Sequence, residues 1–154
     1  MEFETARCFV RPFKADEIDA LMAYRNDPDW MRHQGFKGLT KREYEEQLLR
    51  RADLADGVQL AVVLKESGAL LGDLYLKREG DICWIGYSAE PRHARRGYLS
   101  EAVTGALRVL KQIGVVQAKA GVMPDNIASI EFLKKLQFID SGLEDGEHIY
   151  VLNL

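Results

Sequence analysis

Residues 82–122, ICWIGYSAEPRHARRGYLSEAVTGALRVLKQIGVVQAKAGV, contain the pattern that decides the fold. The apolar run at 82–88 is typical of a strand, and a turn rich in arginine follows it. From Gly97 onward, apolar residues recur every three or four positions, which predicts a helix over 98–113. A second apolar run at 115–122 predicts another strand. Strand, helix and strand in this order form a crossover unit whose two strands lie parallel.

The segments before this unit predict antiparallel pairing. Strand patterns at 58–65 and 70–77 precede strand 82–88, and short turns containing glycine separate all three. Connections this short join neighbouring antiparallel strands, so we expect a three-stranded meander. Residues 6–13 alternate polar and apolar side chains before a proline, which predicts a short edge strand.

The remaining elements complete an α/β fold. Asp16 begins one helical stretch, Thr40 and Glu43 form a capping box for a second, and Asn126 caps a fourth after helix 98–113. Two last strands, 138–143 and 147–153, turn at Glu144-Asp145-Gly146. The sequence therefore predicts one domain, 1–154, with a mixed sheet of about seven strands, mostly antiparallel with one parallel pair, flanked by about four helices.

Composition excludes several classes of protein. The 154 residues carry 21 Lys and Arg against 24 Asp and Glu, a formal net charge of -3, which disfavours a nucleic-acid binder. No apolar run approaches the roughly 20 residues of a membrane span, and no signal peptide is visible, so we expect a cytoplasmic protein without a membrane partner. Cys8 and Cys83 have no metal-ligand spacing, which predicts free thiols and no metal.

The arginine-rich turn is the most informative place for chemistry. Arg92, Arg95 and Arg96 come directly before a helix N-terminus, where positive charge opposes the helix dipole unless an anion is bound. Gly97 permits close backbone approach, and the first helical N–H groups lack partners, so a phosphate or pyrophosphate fits. The alternative is a solvated surface loop. The place of the turn, where antiparallel pairing changes to parallel, favours a ligand site.

Two separated motifs in this chain resemble the GNAT superfamily of N-acetyltransferases, in particular its ribosomal-protein N-terminal acetyltransferases. The matching residues run through nearly the whole chain: Arg11 to Phe13, Tyr24 to Pro28, Ile85-Gly86-Tyr87, Pro91, Arg96-Gly97-Tyr98, Glu101-Ala102, Asn126, Ser129, Lys135 and Phe138. Positions where the chain departs from the family pattern are Ala94, Leu99 and Gln137.

The resemblance implies acetyl transfer from acetyl-CoA to an amine, either a protein N-terminus or a small molecule, by direct attack in a ternary complex. It implies a monomer or homodimer without a metal. The cofactor-binding residues that it implies are Tyr87 and Ala89 for the pantetheine arm, Arg95, Arg96, Gly97, Tyr98, Leu99 and Ser100 for the pyrophosphate, and Asn126 and Ser129 on the next helix.

The resemblance also directs the search for catalytic groups. Leu133 stands where many relatives have a tyrosine acid, which leaves Ser129 as the expected proton donor to the thiolate; the alternative is a serine that bonds only to backbone. Asp73, a lone carboxylate within an apolar strand, is the expected base, and an outward-facing surface aspartate is the alternative. Weaker candidates are His33, Tyr75, Glu90 and His148.

The resemblance also implies that the helical segment before the second strand and the last hairpin select the acceptor. The aromatic and polar residues clustered in that segment, whose alternative role is ordinary loop packing, are Arg25, Trp30, His33, Gln34 and Phe36. A different function remains open for the same fold, namely a non-catalytic domain that binds acyl-CoA or regulates another activity. Leu99, Leu133 and Trp84 favour that alternative, whereas Asn126 with Ser129 favours catalysis.

Overall fold

The computed structural model describes residues 1–154 and contains one sheet with the strand order β1-β2-β3-β4-β5-β6-β8-β7. The strands are β1 (Phe3–Glu4), β2 (Cys8–Pro12), β3 (Val58–Leu64), β4 (Leu70–Glu79), β5 (Ile82–Ala89), β6 (Gln117–Val122), β7 (Ile139–Glu144) and β8 (Glu147–Asn153). The helices are α1 (Ile18–Arg25), α2 (Lys41–Leu48), α3 (Tyr98–Gln112) and α4 (Ile127–Lys135). None of the helices has the length and apolar character needed to span a bilayer.

The pairing confirms the predicted architecture. Strands β3, β4 and β5 form the antiparallel meander, and β5 and β6 on either side of α3 are the parallel pair. The sheet has eight strands because β1, with only two residues, pairs with β2 through Phe3 and Val10. A strand that short has no periodicity to read from sequence. The expectation that 6–13 is the edge strand was therefore wrong, since β1 covers β2.

Two apolar layers hold helices against opposite faces of the sheet. On the face packed by α3 and α4, named the α3 face, Leu74 and Ile85 of the sheet pack in one core with Leu110 and Leu133. On the other face, named the α1 face, α1 and α2 pack in a second core over Ala61 and Val63 of β3, with Ile18, Leu21, Tyr44 and Leu48. Both cysteines are buried and free. Alternate residues of each strand therefore point to different faces of the sheet, one covered by α1 and α2 and the other by α3 and α4.

The parallel pair is short, and this creates an opening in the sheet. Strands β5 and β6 pair only from Ile82 with Gln117 to Trp84 with Lys119. Beyond that point β5 continues to Ala89 and β6 to Val122 without a ladder between them. We call the gap between residues 85–89 of β5 and 120–122 of β6 the wedge. Helix α3 begins shortly after the end of β5, so its N-terminus and the wedge are neighbours in the chain.

Candidate active site

The N-terminus of α3 presents unpaired backbone donors. Gly97 caps the helix with φ of 80°, in the left-handed region that glycine adopts without strain, and no side chain bonds to the cap. The first intrahelical bond runs from the Glu101 N–H to the Gly97 carbonyl at 3.0 Å. The N–H groups of Tyr98, Leu99 and Ser100 thus have no intrahelical acceptor, which is the arrangement that binds an anion.

The three arginines of the preceding turn divide into one paired and two free residues. The Arg92 Nε–H donates to Glu90 Oε1 at 3.0 Å, so its charge is compensated. Arg95 and Arg96 are exposed and form no ion pair with any carboxylate. Two free guanidinium groups beside the positive end of a helix dipole form a positively charged surface suited to an anion such as a pyrophosphate.

The unusual Leu99 leaves this site open. Its side chain is half-buried, packs against the α3-face core and lies with Cδ2 3.2 Å from where a Cβ on Gly72 would stand. Gly72 itself has no room for a side chain, because that Cβ would come within 2.2 Å of the Ser88 carbonyl oxygen. Since the Leu99 side chain points inward, it does not block the approach of an anion to the Leu99 backbone N–H.

The N-terminal segment of the chain fastens the first turn of α3. Glu101 accepts hydrogen bonds from the Thr5 hydroxyl, from the Arg7 backbone N–H at 2.9 Å and from Arg7 Nε–H at 2.8 Å. The Arg7 guanidinium also lies 4.4 Å from the centre of the Tyr98 ring. Burial alone would raise the pKa of Glu101, but the Thr5 and Arg7 hydrogen bonds outweigh it and lower the pKa to about 2. Sequence inspection missed this contact because 94 residues separate its partners.

The wedge edge of β5 fits an extended chain. The Glu90 N–H donates to the Leu71 carbonyl of β4 at 2.8 Å. Because backbone groups alternate along a strand, Tyr87 and Ala89 direct their N–H and C=O groups away from β4 and into the wedge. The Ala89 carbonyl accepts a hydrogen bond from Trp30 Nε1–H at 2.8 Å. These two positions are the ones that the family resemblance implies for the pantetheine arm.

A pair of hydroxyl groups lies on the α3 side of the wedge. Tyr87 Oη and Ser129 Oγ are 2.6 Å apart, and the Tyr87 ring packs on Phe132 at 4.5 Å between ring centres. Burial raises the pKa of Tyr87, so the phenol stays protonated. Asn126 Oδ1 accepts from the Ser129 N–H at 3.3 Å, which confirms the predicted cap. Leu133 is fully buried. The sequence suggested Ser129 for this place but not its tyrosine partner.

Asp73 lies on the α1 face, fully buried, within a closed network. Oδ1 accepts from Arg25 Nη2 at 2.5 Å and from Gln59 Nε2 at 2.5 Å. Oδ2 accepts from Arg25 Nε at 3.3 Å and from the Tyr24 hydroxyl. Four donors fill the four acceptor positions of a carboxylate. This arrangement argues against the expected role of Asp73 as a base and makes it the anchor of Arg25, which in turn donates to the Phe36 carbonyl at 3.0 Å.

A cleft of about 720 Å³ opens on the α1 face and reaches β5 at Gly86 and Tyr87. Three of the residues expected to select the acceptor line it: Arg25, Gln34 and Phe36. Gln59 and Tyr75 of the sheet line it as well. The cleft and the wedge therefore meet at β5, the strand that separates them.

The other two expected acceptor residues hold a loop across the wedge. Trp30 bonds to Ala89 at the end of β5, and His33 Nε2 lies 3.2 Å from Asp125 Oδ1 in the loop after β6. Of the weaker catalytic candidates besides His33 and Tyr75, Glu90 is engaged by Arg92 and His93, and His148 Nδ1 lies 2.9 Å from Asp140 Oδ2.

Comparisons with known proteins identify the class to which this fold and site belong. A family model described as an acetyltransferase (GNAT) domain matches residues 7–139. The chain therefore belongs to the GNAT acetyltransferase family, whose members use acetyl-CoA as acyl donor. No curated protein matches the chain significantly.

Solved structures share the fold at low sequence identity. A GNAT-family acetyltransferase from Bacillus anthracis is similar with a TM-score of 0.87 at 20% identity, covering 99% of this chain and 98% of the other. The ribosomal-protein-S5-alanine acetyltransferase from Vibrio fischeri has a TM-score of 0.78 at 19% identity, covering 99% and 96%. An acetyltransferase from Agrobacterium tumefaciens has a TM-score of 0.80 at 18% identity, covering 100% and 95%.

Proposed function

We propose that this chain transfers an acetyl group from acetyl-CoA to a primary amine by direct attack in a ternary complex. The observation that carries the proposal is the conjunction of the wedge with the open N-terminus of α3, since free donors for a pyrophosphate lie beside an unpaired strand edge. Acetyl-CoA supplies the thioester, and the residues of the chain supply position and proton transfer.

Binding would use both parts of this surface. The N–H groups of residues 98–100, with Arg95 and Arg96, would hold the pyrophosphate. Tyr87 and Ala89 would pair with the pantetheine amides as an added strand fills the wedge. A backbone N–H of this stretch, at the bottom of the wedge, would donate to the thioester carbonyl oxygen and stabilise the negative charge that develops there during attack.

The hydroxyl pair would serve the leaving group. If Tyr87 donates its proton to Ser129 Oγ across their 2.6 Å contact, the Ser129 hydroxyl proton is free to point toward the departing sulfur. Ser129 then donates to the thiolate, and Tyr87 acts as the positioning residue that fixes the direction of that donation.

The acceptor would enter from the α1-face cleft. Its amine must meet the thioester at β5, where the cleft and the wedge are adjacent. Arg25, Gln34 and Phe36 would contact the group that carries the amine. The similar Vibrio fischeri protein is a ribosomal-protein-S5-alanine acetyltransferase, which supports a peptide N-terminus as the acceptor. A small-molecule amine is the alternative acceptor.

A non-catalytic acyl-CoA-binding domain is the second candidate function. The observation in its favour is the filled hydrogen-bonding capacity of Asp73, which argues against Asp73 as the base expected from the sequence.

One experiment separates the two functions. Release of free coenzyme A thiol is followed with acetyl-CoA and a panel of amines and short peptides, while thermal unfolding is recorded with and without acetyl-CoA. Release that depends on an acceptor supports the enzyme. Stabilisation by acetyl-CoA without release for any acceptor supports the binding domain, and the absence of both contradicts the two proposals together.

A further inference from the structure

One carboxylate beside the wedge has no partner. Glu147, the first residue of β8, is half-buried, and its side chain forms neither an ion pair nor a hydrogen bond. Three other carboxylates near the wedge are engaged: Asp73 by Arg25, Glu90 by Arg92 and His93, and Asp125 by His33. Glu147 has no such partner and is available for chemistry.

Gly121 determines where this carboxylate lies. A Cβ built on Gly121 would be 3.2 Å from both Glu147 Oε1 and Oε2, so the carboxylate rests over the bare backbone of β6. Ala118, Ala120 and Val122 point into the α3-face core. Because side chains alternate along a strand, the Cβ direction of Gly121 is the α1 face. The Glu147 carboxylate is therefore on the face from which the acceptor would enter.

The sheet register places Gly121 at the opening. Gly121 lies two residues beyond Lys119, the last paired residue of β6, just as Gly86 lies two residues beyond Trp84, the last paired residue of β5. Gly86 lines the acceptor cleft. The two glycines thus face each other across the start of the wedge. The cleft borders the wedge at β5, and the Glu147 carboxylate borders it at β6, on the same face of the sheet.

The charged groups around Glu147 leave it accessible. Lys119 of β6 shares its face, and its Nζ lies 5.7 Å from the centre of the Trp84 ring, outside ion-pair distance of Glu147. On β7, Glu144 pairs in register with Glu147, and Asp145 follows in the turn; both are exposed. His33 and Asp125 form their own pair in the flanking loops. His148 points to the opposite face of β8.

We infer that Glu147 is the catalytic base that accepts the proton of the acceptor amine, an inference that rests on the proposed acetyl transfer. The ammonium form of the acceptor gives one proton to Glu147, directly or through one water. The free amine nitrogen attacks the thioester carbonyl carbon, the C–N bond forms, the C–S bond breaks, and the thiolate receives a proton from Ser129. The nitrogen keeps one of its two remaining protons in the amide and loses the other to solvent, and solvent returns a proton to the Ser129–Tyr87 pair. Glu147 loses the accepted proton to solvent after product release.

The test compares Glu147→Gln with the matched control Glu144→Gln, which removes a carboxylate from the facing residue of β7. Both are measured for kcat and KM across pH with the best acceptor of the wild-type protein, and for thermal stability with acetyl-CoA. A general base contributes about 10² to 10⁴ in rate. We expect kcat/KM of Glu147→Gln to fall at least about 100-fold near neutral pH, with the KM for acetyl-CoA and its thermal stabilisation unchanged, and we expect Glu144→Gln to match wild type.

The pH dependence of the rate distinguishes a catalytic base from a residue with a structural role. As pH rises toward the pKa of the acceptor amine, the amine deprotonates in solution, so the deficit of Glu147→Gln should shrink. A deficit of the same size at every pH, or a Glu147→Gln rate equal to that of Glu144→Gln, overturns the inference while leaving acetyl transfer intact. A wild-type protein that acetylates none of the amines overturns the proposed function instead, and the role of Glu147 with it.

Discussion

The proposed cofactor side and the proposed acceptor side of the wedge are built in different ways. The cofactor side comes mainly from one continuous stretch, 85–101, in which a strand end, a turn and a helix start present free donors. The acceptor side is assembled from separated parts of the chain: α1 and the loop after it, β3 and β4, and the start of β8. A local site keeps its geometry through backbone conformation, whereas an assembled site depends on side-chain contacts between distant segments.

The two sides also differ in how far their polar groups are satisfied. On the acceptor side, Asp73 accepts hydrogen bonds from Tyr24, Arg25 and Gln59, which fill the acceptor positions of its carboxylate. On the cofactor side, Arg95, Arg96 and the first N–H groups of α3 have no internal partner. We interpret the Asp73 network as a structural element that stabilises the cleft. The unpaired donors at the start of α3 are available to bind a ligand.

The largest expected effect comes from Asp73→Ala, which removes the carboxylate at the centre of the closed network. Removal of the carboxylate leaves the Arg25 guanidinium, which is 3% exposed, buried without its counter-charge. Loss of one partner from a buried pair costs about 3–5 kcal/mol. We expect the free energy of unfolding in urea to fall by that amount. Asp125→Ala removes the 79%-exposed partner of His33 and serves as control, with a change below about 1 kcal/mol. Equal changes in the two variants would contradict the structural role of Asp73.

The next largest effect should come from the combined variant Arg95→Glu, Arg96→Glu. Charge-assisted hydrogen bonds contribute about 1.5–3 kcal/mol each, so acetyl-CoA affinity should fall at least about 100-fold, while the unliganded protein keeps its stability because neither arginine has an internal partner. Isothermal titration calorimetry measures the affinity. Arg108→Glu, an exposed charge reversal further along α3, is the control. Unchanged affinity in the double variant would remove the anion site.

A smaller effect, on rate alone, tests the hydroxyl pair. Ser129→Ala should lower kcat about 100-fold, the lower end of what a positioned acid contributes, with little change in the KM for acetyl-CoA, because the lost proton donor acts on the departing thiolate. Tyr87→Phe should lower kcat by less, and the double variant should be no slower than Ser129→Ala, since the two hydroxyls act in series across 2.6 Å. Wild-type turnover in Ser129→Ala would exclude Ser129 from the mechanism.

The smallest expected effect concerns the hydrogen bonds that Glu101 of α3 accepts from Thr5 and Arg7. Because hydrogen bonds lower the pKa of Glu101 to about 2 from a reference of 4.5, the charged carboxylate stabilises the folded state above pH 4.5, and this stabilisation disappears as pH falls toward about 2. After allowance for solvent screening, Glu101→Gln should cost about 1 kcal/mol near neutral pH. The free energies of unfolding in urea of the variant and wild type should converge as pH falls toward about 2. Glu131→Gln, an exposed residue of α4, should change nothing.

The sequence was sufficient wherever structure follows from local pattern. The meander, the parallel crossover, the start of α3 and the Asn126 cap depend on periodicity, turns and capping residues within a few positions, and the structure confirms them. The family motifs added the positions of Tyr87, Ala89 and Ser129, which the structure brings to the wedge.

What escaped the sequence depends on contacts between distant segments. An aspartate within an apolar strand has the same local pattern whether it is a free base or the partner of an arginine 48 residues away, and only the packing of α1 on β4 makes it the latter. Glu147 offers no local signal either, since its neighbour Gly121 becomes adjacent only when β8 pairs with β6. Helix packing decides the first case and the pairing of β6 with β8 decides the second.

Because Trp30 is hydrogen-bonded to the end of β5, its fluorescence should be sensitive to a ligand in the wedge. The chain has two tryptophans, and both border the wedge: Trp30 bonds to the Ala89 carbonyl, and Trp84 is the last residue of β5 that pairs with β6. A ligand that enters between the strands changes the surroundings of both indoles at once. Intrinsic fluorescence should therefore report ligand binding in real time without a label. The change that remains in Trp30→Phe would come from Trp84, and the part that is lost would come from Trp30.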